Sequence, residues 1–156
     1  MLEALPEVTA SEVVGLLEYL DHRGGKEDIF RIASDTNTEF GRIISVVEAA
    51  ELLDFVDTPK RMVVLESRGV EFVRAMPDDR KPIWRRQLLK LQLFKMIAEV
   101  LERQPEHQLD RDFVLETLVM RLPQEKYEKI FETFIRWARF GNLFAYDEDR
   151  DVISLQ

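Results

Sequence analysis

Cysteine is missing from all 156 residues, and histidine occurs only as His22 and His107. The first absence excludes a disulfide scaffold, thiolate zinc sites and a cysteine nucleophile. The second leaves no H-x-x-x-H or H-E-x-x-H spacing, so a catalytic zinc has no ligand set. Glycine is scarce, with six scattered residues and no G-x-x-x-x-G-K-[ST] loop to cradle phosphates. Gly24-Gly25-Lys26 follows a helical pattern, lacks a preceding strand and a Ser or Thr, and reads as a helix C-cap. No apolar run approaches the roughly 18 residues of a membrane span. The opening MLEALPEVTASE has neither the basic nor the apolar region of a signal peptide, so the expected location is cytoplasmic.

A basic excess is also lacking. Lys and Arg number 22 against 30 Asp and Glu, a net charge of −8. The imbalance is uneven: residues 1–76 hold 8 basic and 15 acidic side chains, and residues 77–156 hold 14 and 15. Nucleic-acid modules draw most of their non-specific affinity from phosphate contacts on a basic face, and the first half offers none.

What is present is helical periodicity broken by short β-rich runs. Thr9-Ala-Ser-Glu12 has capping-box spacing and opens a helix with Val13, Leu16, Leu17 and Leu20 on its apolar stripe, ended by Gly24-Gly25. A short helix is expected over 26–34. Thr36 to Glu39 repeats the capping-box spacing before a third helix, whose stripe reads Phe40, Ile43, Ile44, Val47 and Ala50. Residues 55–65 then form two apolar, β-branched runs around Thr-Pro-Lys-Arg, the pattern of a hairpin. A helix from Ser67 to Arg74 follows. Beyond it the spacing predicts one long helix over 83–103, a helix capped by Asp110 running to about Arg121, another from Pro123 to Phe140, and a terminal hairpin over 143–155.

Helices followed by a hairpin are the order of a winged helix. The pattern also recurs: at an offset of 90 residues Ile44, Val47, Ala50, Leu53 and Val56 face Phe134, Trp137, Phe140, Leu143 and Tyr146, apolar on apolar. The expected fold class is mainly α (α+β), with tandem winged-helix modules at 1–76 and 77–156 joined by the long helix.

Few residues suggest chemistry. Asp147, Asp149 and Asp151 imitate the opening of a calcium loop, but Val152 stands where glycine is required and no glutamate closes the loop, which leaves a solvated turn. Arg80, Lys81, Arg85, Arg86 and Lys90 form a basic cluster that reads as the solvated face of a helix. No catalytic motif is present, so the expectation is a non-enzyme without a cofactor or metal.

The last helix of each module was the place to look for DNA contacts, because in this architecture it enters the major groove. Off the stripe, the first module offers Glu39, Arg42, Ser45, Val46, Glu48, Ala49 and Glu51, with three acids for one base. The second offers Lys129, Arg136 and Arg139, the candidate DNA-binding residues. Trp137 and Phe140 stand beside the two arginines, and Arg136, Trp137, Arg139 and Phe140 together form a candidate partner-binding cluster, since Arg and aromatic residues are enriched in protein interfaces. Trp137 and Phe140 equally suit a core role, so core, protein contact and DNA contact all stay open here.

Five segments carry a resemblance: Leu5-Pro-Glu-Val, Gly15-Leu-Leu-Glu-Tyr-Leu20, Gly25-Lys-Glu-Asp-Ile-Phe-Arg-Ile-Ala33, Val47-Glu-Ala-Ala-Glu-Leu-Leu-Asp-Phe55 and Phe134-Ile-Arg-Trp-Ala-Arg-Phe-Gly-Asn-Leu-Phe-Ala-Tyr-Asp147. Over nearly the whole chain the sequence resembles the AAA-associated C-terminal domain, found after the ATPase domain of nitrate, sulfonate and bicarbonate type ABC transporter subunits. The resemblance implies a regulatory or protein-interaction appendage whose partner is an ABC transporter ATPase domain, peripheral to the inner membrane through a transporter complex. It transfers no ATP hydrolysis, because no Walker motif exists here to receive it. A winged-helix DNA-binding regulator is the alternative expectation.

Overall fold

The computed structural model describes residues 2–156. The chain is mainly helical with two small antiparallel sheets, and it divides into two compact units. The first unit is Val8–Arg80; the second is Lys81–Gln156 together with the segment ending at Glu7.

The first unit begins with α1 (Ala10–His22). Its capping box forms as the sequence predicts: the Glu12 N–H donates to Thr9 Oγ1 at 3.1 Å and the Thr9 N–H to Glu12 Oε1 at 3.0 Å. Gly24 and Gly25 take φ of 80° and 93°, and the Gly25 N–H closes on the Leu20 carbonyl at 2.8 Å. The expected helix over 26–34 is split. Lys26–Asp28 is a strand, β1, and α2 (Ile29–Asp35) starts where the Asp28 carboxylate accepts from the Phe30 N–H at 2.8 Å. Thr36 does not cap α3 (Phe40–Leu52); its hydroxyl donates to the Ile32 carbonyl at 2.7 Å and ends α2 instead.

The hairpin of β2 (Val56–Asp57) and β3 (Met62–Leu65) joins β1 in the order β1-β3-β2, with Glu27 opposite Val63 and Val56 opposite Leu65. Helix α4 (Ser67–Arg74) approaches the sheet closely because residue 69 is glycine: a Cβ there would meet the Phe55 carbonyl oxygen at 2.2 Å. Arg80 donates to the Phe72 and Val73 carbonyls at 3.1 and 2.7 Å, satisfying the end of α4 where the helix dipole favours a cation.

In the second unit the long helix expected over 83–103 is two helices, α5 (Pro77–Leu88) and α6 (Gln92–Arg103). The break has a packing reason. Leu91 and Leu93 are both buried, yet on one straight helix they would project about 200° apart. The N-terminal segment contributes buried Leu2 and Leu5, and Glu3 accepts from the Gln92 N–H at the start of α6. There follow β4 (Gln108–Asp110), α7 (Arg111–Arg121), α8 (Tyr127–Phe140), β5 (Phe144–Asp147) and β6 (Val152–Leu155). The sheet order is β4-β6-β5. Helix α8 begins four residues after Pro123, since residues 122–125 are held in a turn by the Glu125 N–H to Leu122 carbonyl bond.

The two units repeat one order: helix, strand, helix, helix, hairpin. Their register differs from the uniform offset of 90 that the sequence suggests. Asp54 and Asn142 both take left-handed φ, 62° and 54°, immediately after their helices. Phe55 N–H to Ala50 carbonyl then answers to Leu143 N–H to Ala138 carbonyl, so α3 and α8 superpose at 88. The central strands superpose at 90, because Leu65 bonds Gly25 where Leu155 bonds His107. Two extra residues in the second hairpin absorb the difference. At 88 every buried position of α3 meets a buried position of α8: Ile43, Val46, Val47, Ala49 and Ala50 answer to Phe131, Phe134, Ile135, Trp137 and Ala138.

The corrected register also corrects the α3 face. Val46 and Ala49, assigned to the surface from sequence, are buried, whereas Phe40, placed on the stripe, is exposed. Phe40 stacks on the still more exposed Phe30 at 4.7 Å instead of entering the core.

Candidate functional site

The candidate cluster lies on α8 and its hairpin, and the second core decides which of its members reach the surface. Phe94, Phe134 and Phe144 are fully buried and stack at 4.8 to 6.5 Å, with Trp137 parallel to Phe94 at 6.5 Å. Trp84 meets Trp137 edge-on at 6.0 Å and Phe140 at 4.9 Å, and its indole N–H donates to the Trp137 carbonyl at 2.9 Å. Burying a tryptophan is tolerable here because its one polar hydrogen has a partner. Trp137 is therefore closed to any partner, and Phe140 is half-buried against Trp84. The aromatic half of the cluster is core; the arginine half is surface.

Gly141 fixes this arrangement. A Cβ there would meet Trp84 Cδ1 at 2.9 Å and the Arg85 backbone N at 3.2 Å. Arg85 donates to the Gly141 carbonyl at 2.7 Å, doing for α8 what Arg80 does for α4. The basic cluster noted in the sequence thus supplies two helix-end caps, a structural use that spacing alone does not reveal.

The outer face of α8 presents Arg136 and Arg139. Arg139 donates to the Tyr146 carbonyl at 2.9 Å, meets Glu148 at 3.4 Å and places its guanidinium 5.7 Å from the Tyr146 ring centre. Arg111 lies over Phe131 at 5.3 Å, and Phe131 meets Tyr146 edge-on at 5.5 Å. The Tyr146 hydroxyl donates to Asp151 at 2.9 Å; burial first, and then this carboxylate, push its pKa up. Arg136 has no ion-pair partner among the described residues. These side chains line an open cavity of about 390 Å³ between α8 and the hairpin. The result is an arginine-rich groove floored by aromatic rings, with Glu132, Glu148 and Asp151 at its margin.

Lys129, the third candidate for DNA, sits about two turns before Arg136 and faces Glu7 at 3.6 Å. Asp147 uses its carboxylate to accept from the Asp149 and Arg150 N–H groups at 3.0 and 3.3 Å, which makes the acidic run a turn. Among the described residues no group of three or more His, Cys, Asp or Glu side chains could hold a metal ion. Among the same residues no helix is long and apolar enough to cross a membrane.

The family model for the C-terminal AAA-associated domain matches residues 30–147, well over half of the chain, and the chain belongs to that family. No curated protein and no solved structure matches it. The family description associates the domain with AAA-type ATPases.

Proposed function

We propose that this chain is a non-catalytic regulatory and protein-interaction domain, built from tandem winged helices, that engages the ATPase domain of an ABC transporter of the nitrate, sulfonate and bicarbonate type. It works in the cytoplasm, at the membrane surface only through its transporter partner. The winged-helix reading is supported by the helix, strand, helix, helix, hairpin order and the three-stranded sheet of each unit. The observation that carries the interaction reading is the groove of Arg111, Arg136 and Arg139 over Phe131 and Tyr146. Arginines on aromatic faces at an exposed groove suit a protein interface, where such residues dominate binding energy. Regulation then amounts to this domain favouring one state of the ATPase over another by differential contact.

The DNA reading has weaker support. Of Lys129, Arg136 and Arg139, two are engaged with Glu7 and Glu148, and Glu128 and Glu132 share the exposed face of α8, opposing phosphate. The test is capture of the cognate ATPase domain by the full chain, alongside the Arg136→Glu, Arg139→Glu double variant. Retention that the double variant loses supports the proposal. Equal retention by both, or none at micromolar concentration, overturns it, and duplex DNA binding at low salt that the double variant abolishes puts the regulator in its place.

A further inference from the structure

The repeat supplies an internal comparison that points to a second surface, on α7. In the first unit Asp28 caps α2, and Arg61, the residue before β3, pairs with that carboxylate and covers the Phe30 ring at 5.5 Å. Phe30 in turn stacks on Phe40. One arginine of the same unit thus serves both the carboxylate that caps the second helix and one face of the exposed Phe30 ring.

The second unit keeps the backbone arrangement but loses both the side-chain cap and the arginine. Asp110 holds the place of Asp28, and Asp151 that of Arg61, as the backbone shows: Ile29 N–H donates to the Arg61 carbonyl at 2.9 Å, and Arg111 N–H to the Asp151 carbonyl at 2.8 Å. Asp110 makes no ion pair among the described residues, and Asp151 instead accepts from Tyr146. The neighbouring apolar side chains stay open. Met120 is 80% exposed, Val119 42%, Phe113 41% and Tyr127 37%. Two open cavities, of about 760 and 360 Å³, run along α7, and Asp112 and Glu116 line both. Beside these apolar side chains the rim carries Glu106, Asp110, Asp112 and Glu116 against Arg150 alone.

We infer that this groove docks a basic amphipathic helix of a partner protein. A cationic side chain of that helix takes up the position before Asp110 that Arg61 fills before Asp28, and its apolar face covers Phe113, Val119 and Met120. The occupant is fixed by charge. An acidic partner is repelled by the rim, and a second copy of this chain laid antiparallel on α7 would set Asp112 and Glu116 against their own counterparts. The 11 residues of α7 span about 16 Å, which suits a docked helix of about three turns. The surface is distinct from the α8 groove and its assignment does not depend on the identity of the partner.

The experiment uses the full chain and a fluorescein-labelled amphipathic peptide of about 14 residues, Leu on one face and Lys and Arg on the other, read by anisotropy and by backbone amide NMR shifts. Binding is expected with shifts concentrated on α7. Asp112→Lys with Glu116→Lys should weaken it about tenfold or more, and Met120→Ser, a neutral change at a site too exposed to affect folding, should also weaken it, through the lost apolar contact. Glu48→Lys with Glu51→Lys, an equal charge change on α3, should leave the affinity within about twofold at physiological salt. Equal losses from the α3 and α7 pairs, shifts centred elsewhere, or no binding would overturn the assignment. Peptide binding left unchanged by the α7 variants would sink this inference alone, because the α8 reading is decided separately by ATPase capture.

Discussion

Glu51 and Arg139 occupy the same position in the two repeats, the last turn of the helix that precedes the hairpin, with opposite charge. Each is tied to its own hairpin turn at equivalent residues: Thr58 donates its hydroxyl to Glu51, and Arg139 donates to Glu148. One step back, Glu48 answers to Arg136. The fold thus holds a constant helix-to-hairpin tie while the electrostatics of the exposed face are inverted. Packing requires only that something bridge the two elements; the sign of the charge is free to serve recognition.

If the Arg139 tie is recognition surface more than scaffold, removing it should barely alter stability. The Arg139–Glu148 pair is exposed, and such pairs contribute about 0.2–1 kcal/mol. Arg139→Ala should therefore shift the urea midpoint by no more than that, followed through the emission of Trp84 and Trp137 in the same unit. A loss of several kcal/mol would make Arg139 a structural residue and weaken its assignment to the interface.

The two glycines at close approach should behave in the opposite way. In Gly141→Ala the new methyl would meet Trp84 Cδ1 and the Arg85 backbone, and in Gly69→Ala it would meet the Phe55 carbonyl oxygen. Overpacking of this kind costs about 1–3 kcal/mol. Gly69→Ala should be the worse of the two, because its neighbour is backbone that cannot rotate away, whereas at Gly141 the nearest atom belongs to a side chain. Thermal unfolding by circular dichroism gives the ranking, and an unchanged midpoint for Gly69→Ala would contradict the packing described for α4.

Trp137 and Phe140 should separate core from interface. Trp137→Ala opens a cavity among Phe94, Phe134 and Trp84 and should cost about 3–5 kcal/mol. Partner binding by the surviving folded fraction should then be near wild type, since no Trp137 side-chain atom reaches the surface. Phe140→Ala, at a half-buried ring, should cost less. A Trp137→Ala protein of normal stability that has lost its partner would reverse the assignment of this ring to the core.

The sequence announced those elements whose local signals and tertiary context agree. Thr9 and Glu12 form the box their spacing predicts, and Gly24-Gly25 end α1 in left-handed backbone. Strands β1 and β4 carry no signal of their own because three residues are too few for a period; they exist through pairing with β3 and β6 across 34 residues or more. The α3 and α8 faces were misjudged for a different reason. An offset of 90 aligned the central strands correctly, and apolar side chains are dense enough on α8 that a shift of two residues still matched apolar to apolar. Only the left-handed residues Asp54 and Asn142 reveal the true register. Arg136 and Arg139 were legible as surface from charge alone, while the burial of Trp137 depends on Trp84, 53 residues away, and no local pattern encodes it. The α7 groove left no motif, since it consists of apolar residues that periodicity assigns to a core and of an arginine that is not there.

Acid should unfold the first unit ahead of the second. The Arg42 guanidinium, bonded to Glu12, holds that carboxyl below its usual range, and the Tyr19 hydroxyl, donating at 2.7 Å, does the same for Asp35 against an opposing effect of burial. The Asp28 N–H and Arg23 lower Glu27; at Asp28 burial pushes upward but is outweighed by the Phe30 N–H and Arg61. A carboxylate whose folded pKa lies below its unfolded value stabilises the fold fully above the unfolded value, about 4, and ceases to do so as pH falls through the folded one. All four groups lie in Val8–Arg80, whereas both tryptophans lie in the other unit. Between about pH 5 and pH 2, amide NMR signals of residues 8–80 should lose dispersion while the tryptophan emission keeps its buried wavelength. Asp35→Asn, which removes a carboxylate held low in the folded state, should flatten the acid transition of the first unit. Tryptophan emission shifting to the red before those amides collapse would show that acid lability resides in the second unit.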